Sequence, residues 1–78
     1  MENETVKLIR YYLRMSQPDF AEHIGVTYST VAEVEAGRRK VTDGLCAKIA
    51  LKFDPTDEGF QAFVKRNREL KAVLKRKN

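Results

Sequence analysis

The 78-residue sequence predicts an all-α fold of five helices connected by short turns. Apolar residues recur at three- and four-residue spacing along most of the chain, which is the period of an amphipathic helix. No segment shows the alternation of apolar and polar residues that indicates a half-buried strand. Helix-start and helix-stop signals divide the chain, and no repeat or low-complexity linker interrupts them. We expect one domain, because so short a chain cannot build two cores.

The first two helices are indicated by an apolar face and a capping residue. Val6, Ile9 and Leu13 share one face over residues 4–13, which we expect to form the first helix. Ser16 offers a hydroxyl group at an N-cap position. A second helix should therefore begin immediately after it.

Two glycines mark the ends of the second and third helices. Gly25 can adopt the left-handed conformation that commonly closes a helix, and Gly37 offers the same signal further along the chain. Thr27 follows the first glycine closely and can cap a third helix. The buried positions predicted for these two helices are Phe20, Ala21, Ile24, Val31 and Val34.

The second half of the chain predicts two more helices. Thr42 can cap a fourth helix, which Asp54 should end because the residue before a proline avoids the helical conformation. A fifth helix is expected to open near Asp57 and to continue through Leu74. The predicted inward-facing residues are Leu45, Ile49, Ala50 and Phe53 in the fourth helix and Phe60, Phe63 and Val64 in the fifth.

Residues 17–36 predict a helix-turn-helix, in which two short helices cross steeply through a turn of three or four residues. Ala21 is small where the two helices must approach each other, Gly25 suits the turn, and Val26 can fill the gap beneath it. Each of these residues alone is weak support. Their combination at these offsets is specific, and it indicates a DNA-binding protein.

Positive charge is concentrated at the C-terminal end of the sequence. The net charge is +4, but residues 65–78 carry +6 and residues 1–64 carry −2. We therefore divide the chain into a helix-turn-helix domain over residues 1–64 and a basic helix extension or tail over residues 65–78. A basic segment indicates a polyanionic partner, although a solvated tail explains the charge alone equally well.

Several classes of protein are disfavoured by composition. No apolar run is long enough to span a membrane, and residues 1–4 lack the features of a secretory signal, so we expect a cytoplasmic protein. Cys46 is the only cysteine and His23 the only histidine, which leaves neither a disulfide nor a metal site. Catalysis is disfavoured because no phosphate-cradling glycine loop or suitable carboxylate pair is present. We expect no cofactor and no small-molecule ligand.

The helix-turn-helix residues and several positions around them match a known family pattern. The matching residues are Arg10, Ser16-Gln17, Phe20-Ala21, Ile24-Gly25-Val26, Ser29-Thr30-Val31, Glu35, Gly37-Arg38-Arg39 and Ile49-Ala50. Over residues 5–54 the sequence resembles the Cro/phage-repressor type, or XRE family, of helix-turn-helix proteins. The resemblance implies a five-helix, lambda-repressor-like fold, with the third helix in the major groove of double-stranded DNA. It also implies a nucleoid-associated regulator of phage or prophage type, which we expect to be a repressor that binds a palindromic operator as a homodimer.

By this resemblance the third helix carries the base contacts, on its outward side. Tyr28 could touch a thymine methyl group, Ser29 could bond either kind of base, and Glu33 could accept from cytosine N4. Thr30 and Ala32 are further candidates for base contacts.

The same resemblance assigns the phosphate contacts. Gln17, at the start of the second helix, is similar to the family residue that binds a phosphate beside a positive helix end. Thr27 and the basic loop of Arg38, Arg39 and Lys40 would bind phosphates on the flanking backbone.

A structural salt bridge is implied between the first and third helices. Arg10 and Glu35 match the family positions that form this pair. Removing one partner of a buried pair costs about 3–5 kcal/mol. We therefore expect both residues to act in stability and not in DNA contacts.

The sequence departs from the family pattern in three ways, of which the third leaves an alternative function open. Arg14 stands where the family often has glycine, and a left-handed non-glycine residue is strained by about 1–2 kcal/mol. Ala36 replaces an asparagine that helps to hold phosphate. The third helix also lacks the Arg, Lys, Asn and Gln side chains that make bidentate base contacts. The alternative is a helix-turn-helix fold that binds a protein partner, as an anti-repressor or a partner of a repressor would.

Three roles are open for the last helix. Phe60, Phe63, Leu70 and Leu74 lie at heptad-like spacing, with Asn67 at one of the core positions, and are candidate dimer contacts. Alternatively, the end of this helix is a frayed basic tail, or it is a tail that lies along DNA phosphates.

Overall fold

The computed structural model describes residues 1–76, and within that range it contains five α-helices and no strand. The helices are α1 (Asn3–Tyr12), α2 (Gln17–Ile24), α3 (Tyr28–Glu35), α4 (Asp43–Ala50) and α5 (Glu58–Arg76). The predicted all-α, five-helix fold is confirmed. Lys77 and Asn78, the end of the predicted basic extension, lie outside the described residues.

Hydroxyl side chains cap three of the helices at their N-termini. Ser16, Thr27 and Thr42 precede α2, α3 and α4, and each accepts a hydrogen bond from the backbone N–H three residues further on, at 3.1–3.2 Å. Each cap satisfies a backbone donor that the first helical turn leaves unpaired. Helices α2, α3 and α4 therefore begin where the sequence predicted.

Left-handed residues close α1, α2 and α3. These residues are Arg14 (φ 59°), Gly25 (φ 78°) and Gly37 (φ 78°). After α1, for example, the N–H of Arg14 donates to the carbonyl of Tyr11 and the N–H of Met15 donates to the carbonyl of Arg10, at 3.0 and 3.2 Å. These paired bonds form a Schellman motif, which requires positive φ in the residue after the helix. Arg14 adopts this conformation although it has a Cβ atom.

The core is formed by one face of each helix. Phe20 is the largest of its fully buried side chains. The other buried apolar residues are Val6, Leu8, Ile9, Ala21, Ile24, Val31, Val34, Leu45, Ile49 and Phe60. Against them pack the half-buried aromatic residues Tyr12, Phe53 and Phe63, whose rings meet each other or Phe60 at centroid distances of 5.0–6.1 Å.

Ala50 departs from the sequence prediction because it is exposed. Leu45 and Ile49, four residues apart, form the buried stripe of α4. Ala50 follows Ile49 directly and is rotated by about 100° around the helix, away from the core. Its predicted inward orientation was wrong.

Helix α5 crosses the predicted boundary between residues 64 and 65 without a break. Phe60, in its first turn, is only 3% exposed and packs in the core, so it offers too little surface to be a principal dimer contact. Leu70 and Leu74 are 58% and 55% exposed. No helix in the described part of the chain has the length and apolar content that crossing a lipid bilayer requires.

Candidate nucleic-acid interface

Helices α2 and α3 form a helix-turn-helix with a tight, ordered turn. The N–H of Val26 donates to the carbonyl of Ala21 at 2.9 Å, and the left-handed Gly25 precedes it. Val31 and Val34 anchor α3 to the core and are buried. Since these two positions lie on one side of α3, its opposite side faces solvent.

The outward side of α3 carries the residues that the family resemblance assigned to base contacts. Tyr28 is 54% exposed, and Ser29 is also exposed. Thr30, Ala32 and Glu33 are partly exposed. All five side chains therefore lie at or near the surface.

Two of these side chains are already engaged with the loop that follows α3. Arg39 donates from Nη2 to Glu33 Oε1 at 2.7 Å and from Nη1 to Thr30 Oγ1 at 3.4 Å. The Arg39 and Glu33 side chains are 50% and 43% exposed. A pair this exposed contributes little to stability. Its effect is to hold the guanidinium group over α3.

The basic loop is also fixed through its backbone. Asn3, in the first turn of α1, donates from Nδ2 to the carbonyl of Val34 at 2.8 Å and to the carbonyl of Arg39 at 2.7 Å. Arg38, Arg39 and Lys40 are exposed. This contact could not be predicted from the sequence, because an asparagine at a helix start normally indicates a cap.

A network of side chains joins α1, α2 and α3 behind this surface. Arg10 donates from Nε to Glu35 Oε2 at 2.6 Å and from Nη2 to Glu35 Oε1 at 2.8 Å, so the pair expected from the sequence is present. Arg10 Nη1 also donates to the carbonyl of Met15 at 3.0 Å. The Arg10 and Glu35 side chains are only 11% and 4% exposed.

Two opposing effects act on the pKa of Glu35. Burial raises it, but the hydrogen bonds from Arg10 and Gln17, together with the positive charge of Arg10, lower it by more. The net pKa lies below the ordinary value. The hydrogen bonds to Glu35 likewise raise the pKa of Arg10, against the effect of its own burial. Glu35 is therefore charged at neutral pH.

Gln17 and Thr27, two of the expected phosphate contacts, have partners within the protein. Gln17 donates from Nε2 to Glu35 Oε1 at 3.1 Å, which uses one of its two amide hydrogens. Thr27 Oγ1 accepts from the N–H of Thr30 at 3.2 Å and lies 2.9 Å from Thr30 Oγ1. The sequence did not indicate the Gln17 contact, since it joins residues on different helices.

Among the comparisons with known proteins, the match to a family model agrees with this geometry. No curated protein and no solved structure matches the chain. A family model described as helix-turn-helix matches residues 9–59, which is more than half of the sequence and includes the turn, the outward side of α3 and the basic loop. The chain therefore belongs to the Cro/C1-type, or XRE, family of helix-turn-helix proteins, and it is a DNA-binding regulator.

Proposed function

We propose that this protein is a sequence-specific transcriptional repressor of phage or prophage type that binds a palindromic operator as a homodimer. The observation that carries the proposal is the outward side of α3, where Tyr28 and Ser29 are exposed above a buried Val31 and Val34. A helix anchored in this way enters the major groove with its polar residues against base edges.

The base contacts are proposed for the exposed half of α3. Ser29 lies opposite the buried stripe and is placed to bond a base edge, and Tyr28 brings both an aromatic ring and a hydroxyl group. Ala32 adds an apolar contact for a thymine methyl group. Thr30 and Glu33 belong to the same surface, together with Arg39, which they bind.

The phosphate contacts are proposed for the two ends of the motif. The second amide hydrogen of Gln17 is available beside the N-terminus of α2, where the helix dipole favours an anion. Thr27 lies at the N-terminus of α3. Arg38 and Lys40 extend from the loop and would neutralise phosphates without reading sequence.

The dimer is proposed to form through α5, with a second copy of this chain as the occupant. Leu70, Val73 and Leu74 are more than half exposed, and their three- and four-residue spacing places them on one side of the helix beside Phe63. A two-fold operator needs two copies related by the same symmetry, and such a stripe is self-complementary across a two-fold axis.

Sedimentation of the full chain tests the dimer. The double substitution Leu70→Glu and Leu74→Glu should give a monomer with unchanged helix content, because both residues lie outside the core. Leu51→Glu is the matched control, since Leu51 is 83% exposed on another helix end. A dimer that survives the α5 substitutions would exclude α5 as the contact.

Selection from random duplex DNA at about 0.15 M salt tests the sequence-specific function. We expect enriched sites with two half-sites about 34 Å apart, one turn of DNA. Ser29→Ala should change the preferred base at one position of each half-site, and Leu51→Ala should not. A wild-type protein that enriches no sequence, and whose binding merely falls with rising salt, would instead favour the protein-binding function.

The protein-binding alternative has one specific observation in its favour. Helix α3 contains no Arg, Lys, Asn or Gln, although these side chains make the strongest base contacts. Under that alternative the same exposed surface would bind another protein. DNA binding would then be weak and independent of sequence.

A further inference from the structure

A guanidinium group lies over α3 although the helix has no arginine of its own. Arg39 reaches back from the following loop to Glu33 and to Thr30. Thr30 lies in the first turn of α3, and the N-terminal residues of a recognition helix are those that meet base edges. The loop therefore places the Arg39 guanidinium group beside the first turn of α3, a helix that contains no arginine.

We infer that Arg39 determines sequence specificity by reading a guanine in the major groove, and that Glu33, Thr30 and Asn3 position it. The inference rests on the proposed DNA-binding function. It assigns Arg39 to a base edge, whereas the family resemblance assigned it to a phosphate. It also assigns Glu33 to holding Arg39, whereas the sequence suggested a contact with cytosine.

The guanidinium group keeps enough donors to read a base while it is held in this way. It has five N–H donors in a fixed plane, and Glu33 and Thr30 occupy two of them. Three donors remain. The bidentate contact with guanine O6 and N7 needs two.

Arg39 is also restrained at its backbone, which favours specificity over simple charge attraction. Asn3 binds the carbonyl of Arg39. Gly37 (φ 78°) turns the chain after α3 through a Schellman motif, in which the N–H of Arg38 donates to the carbonyl of Glu33 at 2.9 Å. A side chain held at both ends loses little further freedom on binding. A lysine or arginine that contacts phosphate needs no such support.

The charge of Glu33 gives a second reason for the pair. An unpaired carboxylate on the surface that faces DNA would repel the phosphates and the acceptor atoms of guanine. The Arg39 guanidinium offsets this charge and presents donors in its place. Because both side chains are about half exposed, either can be replaced without opening the core.

The test compares Arg39→Lys with Arg38→Lys, which is the same substitution one residue earlier. Sites are first selected with the wild-type full chain, and dissociation constants are then measured for the preferred duplex and for every single base-pair change. Arg39→Lys keeps the positive charge but removes the planar guanidinium group, whose paired N–H donors make the bidentate contact. We expect it to weaken binding to the preferred duplex by about 5- to 150-fold and to abolish the guanine preference at one position of each half-site. The salt dependence should stay as in the wild type.

Arg38→Lys should leave all base preferences as they are. Asn3→Ala should reduce the same guanine preference as Arg39→Lys, because it removes the hydrogen bond to the Arg39 carbonyl, and it should leave the salt dependence unchanged because asparagine carries no charge. A double-mutant cycle of Glu33→Ala and Arg39→Ala should be non-additive at that same base pair. Additive losses at two different base pairs would overturn the positioning role of Glu33.

Each result for the wild type and for Arg39→Lys decides a separate point. An enriched sequence whose guanine preference survives Arg39→Lys overturns this inference and leaves the proposed function intact. A uniform loss of affinity over all duplexes would indicate that Arg39 contacts a phosphate, and it would also overturn this inference. If the wild-type protein enriches no sequence at all, the proposed function fails and this inference fails with it.

Discussion

Replacing Arg10 by methionine should strongly destabilise the fold, because Glu35 would stay buried without its ionic partner. The Glu35 side chain is 4% exposed and accepts two hydrogen bonds from Arg10 but only one from Gln17. Breaking a buried pair on one side costs about 3–5 kcal/mol. The free energy of unfolding of a domain this size is about 4–12 kcal/mol. Since each kcal/mol shifts the Tm by about 4–8 °C, we expect a fall of at least about 12 °C.

The loss of stability in Arg10→Met should depend on pH, and the titration of Glu35 sets its direction. In the wild type the folded-state pKa of Glu35 is lowered, so its stabilisation is present above the unfolded pKa, about 4.3, and is lost as the pH falls below it. In Arg10→Met, burial raises the pKa of Glu35 with less opposition. The charged carboxylate then destabilises the fold at neutral pH. This destabilisation decreases as the pH falls, because Glu35 becomes protonated. The difference in stability between the two proteins should therefore shrink from pH 7 towards about pH 4.5.

Urea unfolding followed by circular dichroism at several pH values measures both effects. Adding Glu35→Gln to Arg10→Met should recover most of the stability, because the amide carries no charge and still offers Gln17 an acceptor. Lys71→Met is the control, since Lys71 pairs with Glu4 at an exposed site and its loss should leave the unfolding midpoint unchanged. A loss in Arg10→Met below about 1 kcal/mol, or one that is equal at pH 4.5 and pH 7, would refute the reasoning.

Substitutions at three further positions test the local structure, each by urea unfolding. Arg14→Gly should stabilise the protein by about 0.5–1 kcal/mol, since relief of the left-handed strain exceeds the entropic cost of glycine, and a loss of stability would contradict this. Phe20→Ala should cost about 3–5 kcal/mol because the side chain is fully buried, and a cost below 1 kcal/mol would mean that it is not. Thr27→Ala should cost about 1 kcal/mol through loss of the α3 cap, whereas Thr27→Ser should cost little; equal losses in the two variants would exclude the cap as the cause.

The helices could be predicted from the sequence because their ends are decided locally. Ser16 and Thr27 act on backbone groups three residues away, and Gly25 and Gly37 adopt a conformation that suits few other residues. Such signals do not depend on tertiary structure. Ala50 was predicted to face inward as one of the apolar residues of the fourth helix, whereas the rotation around α4 decides which side a residue faces.

The contacts that organise the proposed DNA-facing surface could not be predicted in the same way. Arg39 meets Glu33 across a turn, and the six-residue separation is not the three- or four-residue spacing at which side chains meet on a helix. Asn3 meets the carbonyl of Arg39 from 36 residues away. Both contacts depend on the path of the loop that follows α3, relative to α3 in the first case and to α1 in the second. The resemblance identified which residues lie at this surface, but not which of them hold one another.

The position of Glu35 has a mechanical consequence for recognition. A single carboxylate at the end of α3 is held by Arg10 from α1 and by Gln17 from α2, so the three helices are fastened at one point. If Gln17 meets a phosphate as proposed, any misfit along the DNA backbone will displace α3 as well. The domain would then dock as one rigid unit, and a wrong sequence would be penalised at the sugar-phosphate chain and in the groove together.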